Sequence, residues 1–312
     1  MKKEFLVGYT GFVGSNLAKE HSFTQVFNSK NIEDAYYKEP DLLVYAGVRA
    51  EMFLANNDPE GDLKIIENAE ENIRKISAKR VVLISTVAVY PTTKDVDEES
   101  TIEEANITAY GHNRRHLEKM VLNEMDNSLV VRLPAIYGDN LKKNFIFDFI
   151  TRIPALLTEA KLCELKKDEP LIEQCYFKQS NGFYKYIKPE NIEEKEVYLC
   201  FERLGFSALN FTDSRSIYQF YNLSRLWEDI SIALANNLRI VNLVTEPLAV
   251  NEIYRALENK EFNNELSKAP FDYNIKTKHA ELFGGSGGYI QTKSAVMKDI
   301  TQFVYTNRAR RD

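Results

Sequence analysis

Tyr110 and Arg114 stand four residues apart in a stretch, Ala109 to Met125, whose pattern predicts a helix, so the two side chains share a face. A phenol beside a fixed cation has its ionised form favoured, which is what a tyrosine needs to take a proton from an alcohol near neutral pH. Thr86 follows Arg80-Val81-Val82-Leu83-Ile84-Ser85, the most strand-like run of the chain. Open α/β sheets bind ligands at the carboxyl ends of their strands, so the Thr86 hydroxyl can serve the same oxygen as Tyr110. A second constellation lies at the other end: Gly8-Tyr9-Thr10-Gly11-Phe12-Val13-Gly14 spaces its glycines three apart. Between a strand and a helix, such glycines allow a tight turn, a close backbone approach to a pyrophosphate, and close helix–strand packing.

The elements that must hold these residues alternate. Phe5-Leu6-Val7, Gln25-Val26-Phe27, Leu42 to Tyr45, Arg80 to Ser85 and Leu129 to Leu133 read as strands. Ser15 to Glu20, the periodic Leu63, Ile66, Ile73 and Ile76, and Ala109 to Met125 read as helices. This is the βαβ pattern of an α/β protein, a Rossmann-like doubly wound parallel sheet. Residues 1–140 are expected to form a nucleotide-binding domain completed by a strand near 238–243. Residues 141–312, where the rhythm breaks, are expected to form mainly a smaller substrate-binding region. Only thirteen residues separate Asn28 from Leu42, room for one short helix such as Ile32 to Lys38.

Composition narrows the possibilities. Forty basic and 46 acidic side chains give a net charge of −6 without long single-sign blocks, so no nucleic-acid partner is expected. The longest apolar run, Val81 to Tyr90, is half of the roughly 20 residues a bilayer span needs. Met1-Lys2-Lys3-Glu4 leads directly into the first strand, too short for a signal peptide, and a cytoplasmic location without membrane contact is expected. Cys163, Cys175 and Cys200 lack CxxC spacing and are expected to be buried free thiols. The four histidines show no ligand spacing, and no metal site is expected.

Gly8 to Gly14, Ser85-Thr86 with Val89-Tyr90, Tyr110-Gly111 followed by Arg114 and Glu118, and Arg132-Leu133-Pro134-Ala135-Ile136-Tyr137-Gly138 together resemble the extended short-chain dehydrogenase/reductases. More narrowly, the chain is similar to the NAD-dependent epimerase/dehydratase family that modifies nucleotide sugars. The resemblance implies that Tyr110 is the catalytic acid/base, that Thr86 polarises the substrate oxygen, and that Arg114 stands where the family has a lysine that binds the nicotinamide ribose. It further implies cofactor contacts from Gly8, Thr10, Gly11, Phe12, Val13, Gly14, Asn28, Ser29, Lys30, Ala46, Ser85 and Arg114, and substrate contacts from Lys142, Lys143, Asn144 and Arg215, with Arg225 a further candidate. A nucleotide sugar is the implied substrate and a homodimer the implied assembly.

Two departures shape the expectation. Arginine keeps the charge of the family lysine but is larger and differently directed, so the exchange is not conservative. The βα unit between Asn28 and Leu42 is shortened. Dehydratases of this family place an acidic pair after the threonine, whereas Val87-Ala88 stands here; epimerisation or reduction therefore ranks above dehydration. A cofactor-binding module without turnover is the rival reading, resting on Arg114. No acid ends the second strand, where Asn28, Ser29 and Lys30 stand, so NADP is preferred to NAD. NADPH is accordingly expected to bind more tightly than NADH by calorimetry, and Lys30→Ala to narrow the gap by about 1.5–3 kcal/mol. A preference for NADH would move the ribose contact to Glu33 or Asp34.

Overall fold

A computed structural model describes residues 2–309. Its central sheet contains β1 (Glu4–Val7), β2 (Gln25–Phe27), β3 (Leu42–Tyr45), β4 (Val81–Thr86), β5 (Ser128–Leu133) and a strand at Ile240–Asn242. The order across the sheet is Ile240–Asn242, β5, β4, β3, β1, β2. All ladders are parallel: Leu6 lies opposite Val26 and Val44, Val82 opposite Val44 and Leu129, and Val241 opposite Val131. Parallel strands are covered on both faces and so are apolar on both. Leu6, Val44, Val82 and Val131 face one core layer, shared with Leu17 of α1 (Phe12–Glu20). Phe5, Leu43, Val81, Leu83 and Val130 face the other. There they meet Ile66, Ile73 and Ile76 of α3 (Pro59–Ile76) and Leu117 and Val121 of α4 (Ala109–Glu124). A short helix, α2 (Met52–Asn57), precedes α3, and Asp58 caps α3 by accepting from Gly61 N at 2.9 Å.

Between β2 and β3 the chain makes only a 3₁₀ turn, Ile32–Ala35, shorter than the expected helix to Lys38. β2 is therefore the sheet's edge. The link that follows is tight: Tyr37 and Glu39 take positive φ values of 58° and 48°, and their N–H groups donate to the carbonyls of Lys75 (2.7 Å) and Ile76 (3.2 Å) at the end of α3.

The chain divides into two compact units. The first comprises the residues up to Leu141 with Tyr218–Leu248 and Asp272–Val296; the second comprises Lys142–Ile217, Ala249–Phe271 and the residues from Met297 onward. In the second unit a three-stranded antiparallel sheet of Leu156–Leu157, Tyr184–Tyr186 and Tyr176–Lys178 packs with Ile153, Leu162, Ile172, Val197 and Phe201. Cys175 and Cys200 are buried there as free thiols, whereas Cys163 is exposed, contrary to expectation, because it lies on the outer face of the helix Glu159–Leu165, whose inner face carries Leu162 and Leu165.

The first unit is tied by a buried polar chain. Glu118 of α4 is fully enclosed and Arg132 of β5 is 1% exposed. Arg132 donates to both Glu118 oxygens, at 3.0 and 2.7 Å, while Ser85 donates at 2.6 Å and Arg115 at 2.9 Å. Arg132 also donates to the Tyr90 hydroxyl (2.7 Å), which donates to the Asp97 carbonyl (2.8 Å). Glu118→Ala would leave the Arg132 cation buried without its carboxylate and is expected to cost about 3–5 kcal/mol in urea unfolding. A folded variant that loses less than about 1 kcal/mol would show that the pair does not hold α4 to the sheet.

Candidate active site

β1 runs into Gly8, whose φ of 93° suits glycine, and where a Cβ would sit 2.4 Å from the Ala46 carbonyl oxygen. A Cβ on Gly14 would lie 2.1 Å from the Gly8 carbonyl oxygen, so Gly14 lets α1 press onto the turn. Gly11 differs: its nearest neighbour would be the Gly8 oxygen at 3.3 Å, and the residue is exposed. It precedes Phe12 as the cap residue of α1, which begins three residues earlier than the sequence pattern indicates because the glycine turn itself leads into helical geometry. The N–H groups of Phe12, Val13 and Gly14 open the helix without intrahelical acceptors, and its first turn carries no acid. Exposed Thr10 and Gly11 leave this positive helix end uncovered, a place that fits a diphosphate.

Gly8 N donates to the Phe27 carbonyl at 2.7 Å, setting the end of β2 beside the turn, and Ala46 N donates to the Val7 carbonyl at 2.9 Å. Beyond Phe27, Asn28 accepts from Lys30 N at 2.9 Å and its own N–H donates to Asn31 at 2.8 Å, a local turn that leaves Ser29 and Lys30 exposed. Glu33 and Asp34 line a groove of ≈ 650 Å³ along the same edge, with Gln25, Val26, Asn31 and Lys38.

At the next-but-one strand, Thr86 ends β4 and accepts from Ala88 N at 3.1 Å. Gly111 explains how α4 comes so close: a Cβ there would fall 2.0 Å from the Ala88 carbonyl oxygen. Tyr110, in the first turn of α4, is 6% exposed, and its N–H donates to Asn56 of α2 at 2.9 Å. Arg114, 5% exposed, stacks on the Tyr110 ring with its guanidinium carbon 4.0 Å from the centroid. Its other contacts are the Asp62 carboxylate and the Arg49 carbonyl, the latter at 2.5 Å. Burial pushes the Tyr110 phenol above its ordinary value of 10.0; Arg114, Thr86 and the Arg114 hydrogen bond pull the other way, and Asp62 acts with burial. The expected pull of Arg114 exists, but desolvation outweighs it, so the phenol is not brought toward neutrality.

Other expected residues are placed elsewhere. The Ser85 hydroxyl is turned to Glu118 within the helix–sheet layer. In the second unit, Asn144 caps the helix α5 (Phe145–Thr151), accepting from Ile146 N and Phe147 N at 3.0 and 3.2 Å. Arg215 is held by Asp213 (2.9 and 2.7 Å) and Glu265 (2.8 Å), and the Arg215 bond keeps the Asp213 carboxyl well below its usual range. Lys142 and Lys143 are exposed, and Arg225 pairs with Asp229 at 3.3 Å. Sequence reasoning missed Asp62, Asn56 and Asn113. A signal for Asp62 was present: it continues the stripe Ile66, Ala69, Ile73, Ile76, so an acid stands in apolar register.

The chain shares its fold with solved reductase and epimerase structures. It superposes on the RMD protein of Pseudomonas aeruginosa, solved with NADPH, with a TM-score of 0.64 at 13% identity, over 99% of this chain and 100% of that one. The dTDP-4-dehydrorhamnose reductase of Yersinia enterocolitica gives 0.63 at 12% identity over 98% and 100%. The UDP-glucose 4-epimerase of Thermotoga maritima, solved with UDP-glucose, gives 0.60 at 15% over 99% of each chain. Residues 5–165 match the RmlD substrate binding domain model, and the chain belongs to that family. No curated protein sequence matches it.

The glycine contacts separate structural from open positions. Gly14→Ala and Gly111→Ala, which drive a methyl into backbone, are each expected to cost about 1–3 kcal/mol in denaturant unfolding, and Gly11→Ala close to nothing. Equal losses at all three would show that the openness at Gly11 is not real.

Proposed function

We propose that the chain is an NAD(P)-dependent enzyme that reduces or epimerises a nucleotide-linked sugar, with NADP the preferred cofactor. The observation that carries this reading is Tyr110 under the Arg114 guanidinium, beside Thr86, at the carboxyl ends of the same parallel sheet that bears the glycine turn. Family membership supports it, as do neighbours whose names are those of a keto-sugar reductase and a sugar 4-epimerase.

When bound, the nicotinamide supplies hydride exchange at a sugar carbon. The chain does the rest. The Phe12, Val13 and Gly14 amides receive the cofactor diphosphate, and Asn28, Ser29 and Lys30 serve the ribose. Tyr110 passes its phenolic proton to the sugar oxygen in reduction and takes it back in oxidation, while the Thr86 hydroxyl orients that oxygen. Lys142, Lys143, Asn144 and Arg215 are the residues proposed for the substrate; within the chain Asn144 also caps a helix and Arg215 also pairs with Asp213. A second reading, a protein that binds nucleotide without turnover, is favoured by one feature: Arg114 is already bonded to Asp62 and Arg49.

Product masses and nicotinamide absorbance on a panel of nucleotide sugars separate the readings. Tyr110→Phe is expected to reduce turnover by 10²-fold or more and leave cofactor affinity unchanged, whereas Arg114→Ala damages both. Because the phenol lies above 10, reduction should hold through neutral pH and fall as pH rises past that phenol's pKa, while alcohol oxidation rises over the same range. An active parent whose Tyr110→Phe variant keeps full product formation would place the chemistry elsewhere.

A further inference from the structure

Asp62 sits in the first turn of α3, 8% exposed, with its carboxylate turned toward α4. It receives the Arg114 guanidinium and also the Asn113 amide at 2.8 Å; the same amide donates to the Pro59 carbonyl at 3.0 Å, fixing the start of α3 against α4. A guanidinium free of this carboxylate could swing along its long side chain. Bonded to Asp62 on one side and to the Arg49 carbonyl on the other, it lies over the phenol ring. A compact ammonium could not make the stack and the fork together, which gives the arginine at this position a physical reason.

We propose that Asp62 is a positioning residue of this site: it clamps Arg114 over the Tyr110 ring and offsets its charge, so that Tyr110 meets the substrate as a proton donor. The proposal rests on the acid/base reading of Tyr110 given above. The charged groups acting on the phenol, among the described residues, are Arg114 from α4 itself and Asp62 from α3; α2 contributes the neutral Asn56 and the end of β4 the neutral Thr86. Their effects oppose each other: the cation favours phenolate, and the carboxylate behind it disfavours phenolate. The pair thus behaves as a dipole beside the hydroxyl rather than as a full positive charge.

The test is the titration of Tyr110 by NMR in protein labelled at tyrosine Cζ, its resonance assigned by loss in Tyr110→Phe. In Asp62→Asn the midpoint should fall by roughly one unit, about tenfold in proton affinity. An unmoved midpoint in the folded variant overturns the proposal. Since Asp62→Asn strands a buried cation, a second pair reads the same coupling without it. Arg114→Gln should raise the midpoint above the parent, and Arg114→Gln with Asp62→Asn should bring it down again; equal midpoints in these two overturn the proposal. None of these measurements needs cofactor or substrate. A chain that shows the coupling but converts no sugar would defeat the enzyme reading, and with it the substrate role of the phenol, and leave standing only the clamp of Asp62 on Arg114 and Tyr110. With turnover, the alkaline limb of the reductive kcat profile should move down with Asp62→Asn by the same amount, with KM unchanged; a limb that stays in place counts against Asp62.

Discussion

The carboxylate of Glu118 is fully enclosed, and burying such a charge is tolerable only when its oxygens are fully bonded. Three side chains meet that demand: Ser85 from β4, Arg132 from β5 and Arg115 from the helix itself. The bonds from Ser85 and Arg132 fix α4 against two neighbouring strands, while the Arg115 bond lies within the helix. Two helical turns before Glu118, Tyr110 then comes to the end of β4 as a geometric consequence, and Gly111 removes the one side chain that would hold it off. Tyr110 is thus positioned by a charge buried in the helix–sheet layer, away from the phenol itself.

The same economy of charge governs the site. Arg114 is nearly as enclosed as Arg132, and its demand for a counter-ion is met by Asp62 on a neighbouring helix. Arg114 is thereby a cation whose donors are shared among a carboxylate, a carbonyl and an aromatic face. Such an arrangement is stiff. It gives up the mobility of a lysine and gains a fixed orientation of the phenol beneath it.

How much of this was legible follows from the range of each interaction. The glycine turn, the sheet strands and the Tyr110–Arg114 face rest on local spacing, and each was readable because periodicity and turn chemistry act within a few residues. The shortened segment after Asn28 was likewise visible as a length, and the structure makes it a bare edge with a 3₁₀ turn. Ser85, Asn144 and Arg215 were read as ligand contacts, whereas the structure gives them Glu118, a helix end and Asp213 as partners. The Ser85 partner is set by tertiary packing, and the Asn144 cap begins a helix of only seven residues, too short to declare itself in a pattern; Asp213, two residues before Arg215, was within local reach and was overlooked. The Asp62 to Arg114 pair spans 52 positions, and only the misplaced acid in an apolar stripe hinted at it.

The link between the 3₁₀ turn and β3 does more than shorten the chain. By offering the N–H groups of Tyr37 and Glu39 to the carbonyls of Lys75 and Ile76, it closes the carboxyl end of α3 with donors taken from outside the helix. The other end of α3 carries Asp58 as its cap and Asp62 against Arg114. One rod of eighteen residues is therefore fastened at both tips, at the rim of the sheet by backbone and near the phenol by charge. Any fraying of the rim removes bonds from the rod that carries Asp62, so that the loop which looks like the least important part of the sheet shares a mechanical fate with the residue that steadies the site.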